Sequence, residues 1–596
     1  MRVSLSANGL TVKAYAGSTG VLLAFNLDGE QAQQGLLGFA IERSWDGKTY
    51  EWLEGLLDFP GRQHDPGQPI ATNIAPVQKF RWSDYRVWPG TEYSYRIHPV
   101  YAKDSAKIPA LDVRDGVEVK VTTHLWDVKK LLALPDAQTV LFNRAAGASQ
   151  AFARKFPQED DKMSKALATQ KTAAKPKALP MPSQAALDWL SRGVREGIVD
   201  FINSATNQDA LDVAIYQYQL PEIVKAVNDA FDRGVQVRLI YHGKGDKDTT
   251  ADAKNAAHLP AANKLARKTS AIFHHKFIVL SGFSNGVRKP RAVLAGSTNF
   301  TFNGVYCQAN DITLSTDAAV AAKYLDQFEH IFSGETVPDT KARDTNENIL
   351  DPAAAFQIGF SPRTGQKDLA CFTTLIDAAK QDVLFSTAFN MAPNIYESLL
   401  GRAHDSILRY GIQDKQSKIT GLHADRTADF EATALLPQGL DGWLKEQRVK
   451  GQTGNILVHT KVILVDFTTD APVIISGSHN YSLNASQSND ENYIIARGNT
   501  DLADCFGCEV LRIYDMYRFR FKQKSSKTAP HLTPDDSWTK DYYDPNNLKF
   551  ADRVVFSGAT SNEGASANAH PATTAAHSIQ RLRAPKPPAR KKAVGA

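Results

Sequence analysis

The sequence predicts a multidomain protein: an N-terminal all-β sandwich followed by two duplicated α/β lobes that form one bilobal domain. Three observations predict it. Apolar and polar residues alternate with period two in the first 125 residues, strand and helix patterns alternate from Ser183 onward, and one pair of short motifs occurs twice. A repeat of this length is a domain duplication rather than a solenoid. The expected boundaries are 1–125 for the sandwich, 126–182 for a connector, 183–335 and 356–525 for the lobes, and 526–596 for a C-terminal extension.

In the first region, GFAIERSWDGKTYEWL (38–53) reads as two strands around a Trp45-Asp46-Gly47-Lys48 turn. After the Pro89-Gly90 turn, Tyr93, Tyr95 and Ile97 fall on one strand face, and VEVKVTTH (117–124) reads as the last strand. The pattern resembles a fibronectin type III sandwich, with Tyr93 at the place of that family's corner tyrosine, and the resemblance implies a binding or spacing module. Further on, Ser183 is placed to cap a helix over 184–205. A strand over 211–218, a helix over 221–234 and a strand over 235–242 then make a βαβ unit. The order recurs with a helix over 367–380 and a strand over 382–391.

Composition narrows the function classes. A chain of 596 residues that is 42% hydrophobic and 9% aromatic is neither largely disordered nor collagen-like. No apolar run approaches the ~18–20 residues needed to span a bilayer. The N-terminus shows no apolar core or cleavage site, so a cytoplasmic protein is expected, with leaderless export as the alternative. Four cysteines do not make a disulfide framework. Residues 579–596 carry +6 and residues 151–180 carry +4, so the formal +5 of the chain leaves −5 on everything else. Both basic stretches read as flexible, and the tail is a candidate contact for an anionic membrane. The acidic remainder argues against a long nucleic-acid track.

The repeated motifs carry the chemistry. His274 and Lys276 are followed by Gly296-Ser297-Thr298-Asn299, and His459 and Lys461 by Gly477-Ser478-His479-Asn480. Residues i and i+2 of a strand share a face, so each His points with its Lys. Asp466 lies five residues beyond Lys461, an odd offset that suggests a supporting role. In each Gly-Ser-x-Asn element the Gly permits a tight turn, and Ser and Asn can donate to an anion. These are the H-x-K-x4-D and G-S-x-N motifs of the phospholipase D superfamily, which the chain resembles over roughly 140–525, including FSPR (360–363) and IYDMYRFRF (513–521). The first copy departs from the pattern. Ser281 stands where the motif has Asp, and Asn310 stands at the offset, fourteen after the Gly, that Glu491 holds in the second copy.

The resemblance implies two phospholipase D-type lobes and a metal-independent phosphodiester hydrolase that uses no cofactor. Catalytic roles fall to His274, Lys276, Asn299, His459, Lys461, Asp466, Asn480 and Glu491, with Ser297 and Ser478 on the substrate phosphate. His274 would form a phosphohistidine, His459 would protonate the leaving oxygen, and Glu491 would orient His459; the reversed assignment of the histidines is the alternative. Imidazoles suit both roles, since either protonation state is accessible near neutrality. Lysines and asparagines can clamp the non-bridging oxygens. Phospholipid is the expected substrate, with a nucleic-acid phosphodiester as the alternative and a degenerate anion- or membrane-binding scaffold as a weaker one. Both motifs lie in one chain, so no oligomer is required. Cys505 and Cys508 sit in an amphipathic helical pattern and read as packing residues rather than a zinc or redox pair.

Overall fold

The computed structural model describes residues 2–29, 33–62, 68–145, 149–159, 181–245, 247–345, 348, 350, 351, 353–389, 391–400, 406–413, 419, 420, 427, 428, 458–525 and 531–559. The basic tail over 579–596 and most of the basic stretch over 151–180 lie outside them.

The N-terminal strands are β1 (Arg2–Ala7), β2 (Leu10–Ala16), β3 (Val21–Leu27), β4 (Leu36–Ser44), β5 (Glu51–Trp52), β6 (Glu54–Gly55), β7 (Ile70–Ala71), β8 (Arg81–Asp84), β9 (Glu92–Ala102), β10 (Leu111–Val113) and β11 (Val117–Thr122). One sheet runs β1-β2-β3-β8, a second runs β10-β9-β4-β5 with β11 also on β9, and β6 pairs with β7. Val12, Leu23 and Phe25 of the first share a core with Ile41, Tyr95, Ile97 and Val119 of the second. The expected hairpin forms, with Glu42 opposite Trp52 and Arg43 opposite Glu51. Its tip needs Gly47, whose φ of 67° disfavours a side chain. The Tyr93 hydroxyl accepts a hydrogen bond from the Trp88 backbone N–H at 2.9 Å, which pins the turn before β9.

Two larger sheets follow. The first contains β12 (Gln138–Phe142), β13 (Ala210–Ile215), β14 (Gln236–His242), β15 (Lys264–Arg267), β16 (Lys276–Ser284), β17 (Val287–Gly296) and β18 (Asp311–Ser315), in the order β12-β18-β17-β16-β13-β14-β15. The second contains β19 (Phe356–Ser361), β20 (Asp382–Thr387), β21 (Leu408–Gln413), β24 (Val462–Val465), β25 (Val473–Gly477) and β26 (Glu491–Arg497), in the order β19-β26-β25-β24-β20-β21; β22 (Ile419–Thr420) and β23 (Thr427–Ala428) form a separate short pair. Strand for strand the orders correspond, with β15 as an addition. In both, the βαβ strands are parallel (β13 with β14, β20 with β21) and the motif-bearing strands are antiparallel.

Two sequence readings need correction, and the C-terminal extension gains a fold. The connector over 126–182 contributes β12, which zips onto β18 from Gln138–Ser315 to Phe142–Asp311, so the first sheet begins before Ser183. The single helix over 184–205 is two, Gln184–Ser191 and Val194–Asn203. Arg192 (φ 53°) and Gly193 (φ 93°) break it, and the turn carries the Arg192 guanidinium to the buried carboxylate of Glu509 at 2.9 Å. Within the C-terminal extension, residues 531–559 fold onto the sandwich. The Tyr15 hydroxyl donates to the Phe556 carbonyl at 2.7 Å, and Phe80 stacks on Trp538 at 5.5 Å.

The helix Thr500–Ser525 joins these parts. Cys505 and Cys508 are buried on it against the loop at Gly17–Gly20, where a Cβ on Gly17 would lie 3.2 Å from the Cys505 Cα. Burial pushes the Cys505 thiol up to about 12, as expected of a packed rather than reactive cysteine.

Candidate active site

Each His-x-Lys segment lies just ahead of a strand, since β16 begins at Lys276 and β24 at Val462. There the chain leaves its own sheet. The His274 N–H donates to the Asp490 carbonyl at 2.9 Å, just before β26, and the His459 N–H donates to the Ala309 carbonyl at 3.0 Å, just before β18. Each motif arm therefore pairs with the other sheet. The crossing at Asp490 is held by Arg267, whose guanidinium bonds both carboxylate oxygens at 3.0 and 3.2 Å, all of it buried.

The crossing sets the partners of the imidazoles. His274 Nδ1–H donates to Glu491 Oε2 at 2.6 Å, and His459 Nδ1–H donates to Asn310 Oδ1 at 2.9 Å. The Asn310 amide is oriented by its Nδ2–H bond to the Gly304 carbonyl at 2.8 Å. The expectation that Glu491 orients His459 is thus corrected. Sequence separation pairs residues within one copy, whereas the two arms exchange sheets, so the acid of the second copy serves the histidine of the first. With Nδ1 occupied, Nε2 of each ring is left for chemistry.

Both histidines are 5% exposed or less. Burial, then Lys276 and Lys461, holds His274 well below the usual imidazole range; burial, then Lys461 and Lys276, does the same to His459. Burial likewise lowers Lys276, against the pull of Glu491, and raises Glu491. Both lysines act on both histidines, so the two motif copies lie close together. Each lysine folds back onto its own motif, Lys276 Nζ to the His274 carbonyl at 2.8 Å and Lys461 Nζ to the His459 carbonyl at 2.5 Å.

In the Gly-Ser-x-Asn elements the serine hydroxyls, expected on the substrate phosphate, are engaged by neighbouring carboxylates. Ser478 Oγ donates to Glu491 Oε2 at 2.6 Å, and Ser297 Oγ to Asp311 Oδ1 at 2.6 Å, so the hydroxyls brace carboxylates. Gly296 (φ 152°) and Gly477 (φ 145°) lie against backbone, where a Cβ would come within 2.4 Å of the Asp311 and Asn492 carbonyl oxygens. The Asn299 and Asn480 side-chain oxygens are buried without a hydrogen-bond partner among the described residues.

Asp466 is not in the site. It sits at the far end of β24 with φ 54°, and its Oδ1 accepts from the backbone N–H groups of Lys380 (2.8 Å) and Gln381 (2.7 Å). Sequence reading missed Asp311, buried and pushed up to about 6 by desolvation, because the acid lies one place past the offset tested. It also missed Tyr216 and Phe389, the aromatic rings nearest the two histidines, for which the motifs hold no signal. His275 faces away. Its Nδ1–H donates to Asn492 Oδ1 at 3.3 Å, its Nε2 accepts from Gln327 at 3.3 Å, and burial drives it to about 3. Among the described residues, no group of three or more His, Cys, Asp or Glu side chains is placed to hold a metal ion.

Comparisons with known proteins find partial similarities. Residues 198–332 match the family described as cardiolipin synthase, PLD-like domain. A mitochondrial cardiolipin hydrolase of Xenopus tropicalis is 27% identical over 128 residues, 21% of this chain and 55% of that protein. One from Chlamydomonas reinhardtii is 26% identical over 134 residues, 22% and 55%. The chain thus spans little more than half the length of the curated relatives it matches. Among solved structures, a phosphatidylserine synthase of Haemophilus influenzae aligns at 12% identity and a TM-score of 0.36, over 61% of this chain and 93% of that one. The matched segment, residues 198–332, which carries His274, Lys276, Ser297, Asn299 and Asn310, is thus similar to a PLD-like domain.

Proposed function

We propose that the protein is a metal-independent phosphodiester hydrolase of the phospholipase D type, acting on phospholipids through a phosphohistidine. The observation that carries this reading is the unequal pairing of the histidines across the exchanged arms. Glu491 offers a negative charge to His274, and Asn310 offers only a neutral amide to His459. A carboxylate on Nδ1 stabilises the positive ring formed when Nε2 attacks phosphorus, so His274 is the nucleophile. An imidazolium backed by an amide releases its proton readily, so His459 is the acid.

In the first step the His274 Nε2 lone pair forms the P–N bond, the P–O bond to the leaving alcohol breaks, and the His459 Nε2 proton passes to the departing oxygen. In the second, His459 takes a proton from water, the hydroxyl oxygen bonds to phosphorus, and the P–N electron pair returns to His274. Lys276, Lys461, Asn299 and Asn480 hold the non-bridging oxygens, which supplies the cationic charge that a metal provides elsewhere. Substrate binding brings a negative charge to a site whose lysines suppress imidazole protonation, and so favours the charged form of His459.

The cardiolipin hydrolase names of the relatives support a phospholipid substrate. The Tyr93–Trp88 contact supports the fibronectin type III-like reading of the N-terminal module. The matching strand orders support a bilobal catalytic domain, and both histidine pairs form within one chain, so the reading needs no second copy.

The test is hydrolysis of labelled phospholipid, DNA and RNA by the purified chain in EDTA. Phospholipid turnover is expected. His274→Ala abolishes it, and His459→Ala, which lacks the acid of the first step, accumulates an acid-labile, alkali-stable phosphoryl adduct on His274 from an ester whose leaving group needs no proton, such as p-nitrophenol. Turnover of DNA or RNA alone would replace the substrate, and activity surviving both substitutions would overturn the mechanism.

A further inference from the structure

The two histidines have unlike aromatic neighbours. The Tyr216 ring lies 5.2 Å from that of His274, with Lys276 Nζ 5.4 Å from the ring centre. The Phe389 ring lies 6.0 Å from that of His459, with Lys461 Nζ 5.8 Å away. Tyr216 is half-buried and ends in a hydroxyl, whereas Phe389 is 37% exposed and wholly apolar. Its main chain is held, because the Gln413 amide donates to the Phe389 carbonyl and Gln413 also exchanges hydrogen bonds with the Tyr396 hydroxyl. Among the described residues the ring is thus apolar surface left uncovered beside a buried imidazole and ammonium, on a fixed backbone, where substrate must sit.

The direction of the reaction says which part of the substrate covers it. On the proposed roles, on which this inference rests, the leaving oxygen takes its proton from His459, so the departing alcohol lies on the Phe389 side. The retained phosphoryl half stays on the Tyr216 side with His274. The geometry points to Phe389 as a specificity-determining residue that packs on the leaving group, selecting a neutral alcohol with an aromatic or apolar body. A phenyl face can also attract a cation, but Lys461 already stands against this ring and repels a second positive charge. A quaternary ammonium leaving group is therefore disfavoured.

The test compares phenyl phosphate with glycerol phosphate by titration calorimetry on the full chain. It also compares turnover of phosphatidyl esters that share the retained half and differ in the leaving alcohol: a phenol, glycerol or choline. The wild type should bind phenyl phosphate more tightly than glycerol phosphate. Phe389→Ala should cut that preference about tenfold, the size of a lost aromatic contact, with glycerol phosphate affinity kept within about twofold. Phe389→Leu, which keeps an apolar side chain, should retain part of it. In turnover, Phe389→Ala should lower kcat/KM for the phenol ester more than for the choline ester. A preference unchanged in Phe389→Ala, or an equal loss for both phosphates, would overturn the assignment. Binding preference lost in Phe389→Ala with no ester hydrolysed by the wild type would sustain Phe389 and sink the hydrolase reading instead.

Discussion

At positions 310 and 491 an amide and a carboxylate stand at the same offset from their Gly-Ser-x-Asn glycines and face opposite histidines. On the proposed mechanism, that difference in hydrogen-bond partner separates the roles of the two imidazoles. Glu491→Gln keeps a hydrogen-bond acceptor for His274 Nδ1 and removes the charge. It should lower kcat on phospholipid by about a hundredfold with KM little changed, as read in steady-state kinetics. His275 allows a separate prediction, because it is buried away from the reacting atoms. Its unfolded pKa is 6.5 and its folded value about 3, so below pH 6.5 the unfolded chain takes up a proton that the folded one refuses. Stability is therefore complete above pH 6.5 and falls as the pH drops, by about 2 kcal/mol from pH 7 to pH 5 for this group alone. His274 and His459 act in the same direction, and the raised carboxyl of Asp311 in the opposite one. Urea denaturation at the two pH values should show a smaller difference in His275→Gln than in wild type. The identities of the motif residues were legible in the sequence. Their partners were not, because a hydrogen bond between residues 217 positions apart leaves no local pattern.

Strand β24 shows how an element can carry a motif residue for a structural purpose. Asp466 ends the strand in the left-handed region, and its carboxylate ties down the backbone that leads into β20. The period-two argument assumed a strand that runs on through Asp466, whereas β24 ends at Val465, and only the fold shows what the carboxylate meets. Asp466→Ala should cost about 2–3 kcal/mol in urea denaturation, through lost acceptors and a strained φ, with kcat unaltered. A large loss of kcat at unchanged stability would return Asp466 to the site. The βαβ strands and their crossover helices were readable because buried parallel strands and amphipathic helices have strong periods. Strand β12 was missed because it stands apart in sequence from the sheet it joins, with 67 positions and a Lys-rich stretch between Phe142 and Ala210.

Across the whole molecule, the N-terminal sandwich is built into the α/β part rather than tethered to it. Arg81 of the sandwich is buried between Asp515 of the long helix, at 2.5 Å, and Asp552 of the C-terminal segment, at 3.1 Å. Arg2 bonds the buried Asp504 at 2.8 Å, and Thr19 bonds Glu509 at 2.9 Å. Removing residues 1–125 would strand buried carboxylates and expose the apolar faces of the long helix and of 531–559, a penalty of several kcal/mol for each orphaned charge. The full chain should therefore unfold in one calorimetric transition, and the fragment starting at 126 should not fold cooperatively; two well-separated transitions would contradict this. The sequence by itself showed the repeated motifs, the βαβ strands with their crossover helices, and the two His-Lys pairs, because these rest on periodicity and on residues close along the chain. Only the tertiary structure decided that the motif arms exchange sheets, that Glu491 serves His274 and Asn310 serves His459, and that the sandwich and the C-terminal segment are one structure. Those are contacts between distant segments, selected by burial and charge compensation across the folded interior, and nothing local in the chain encodes them.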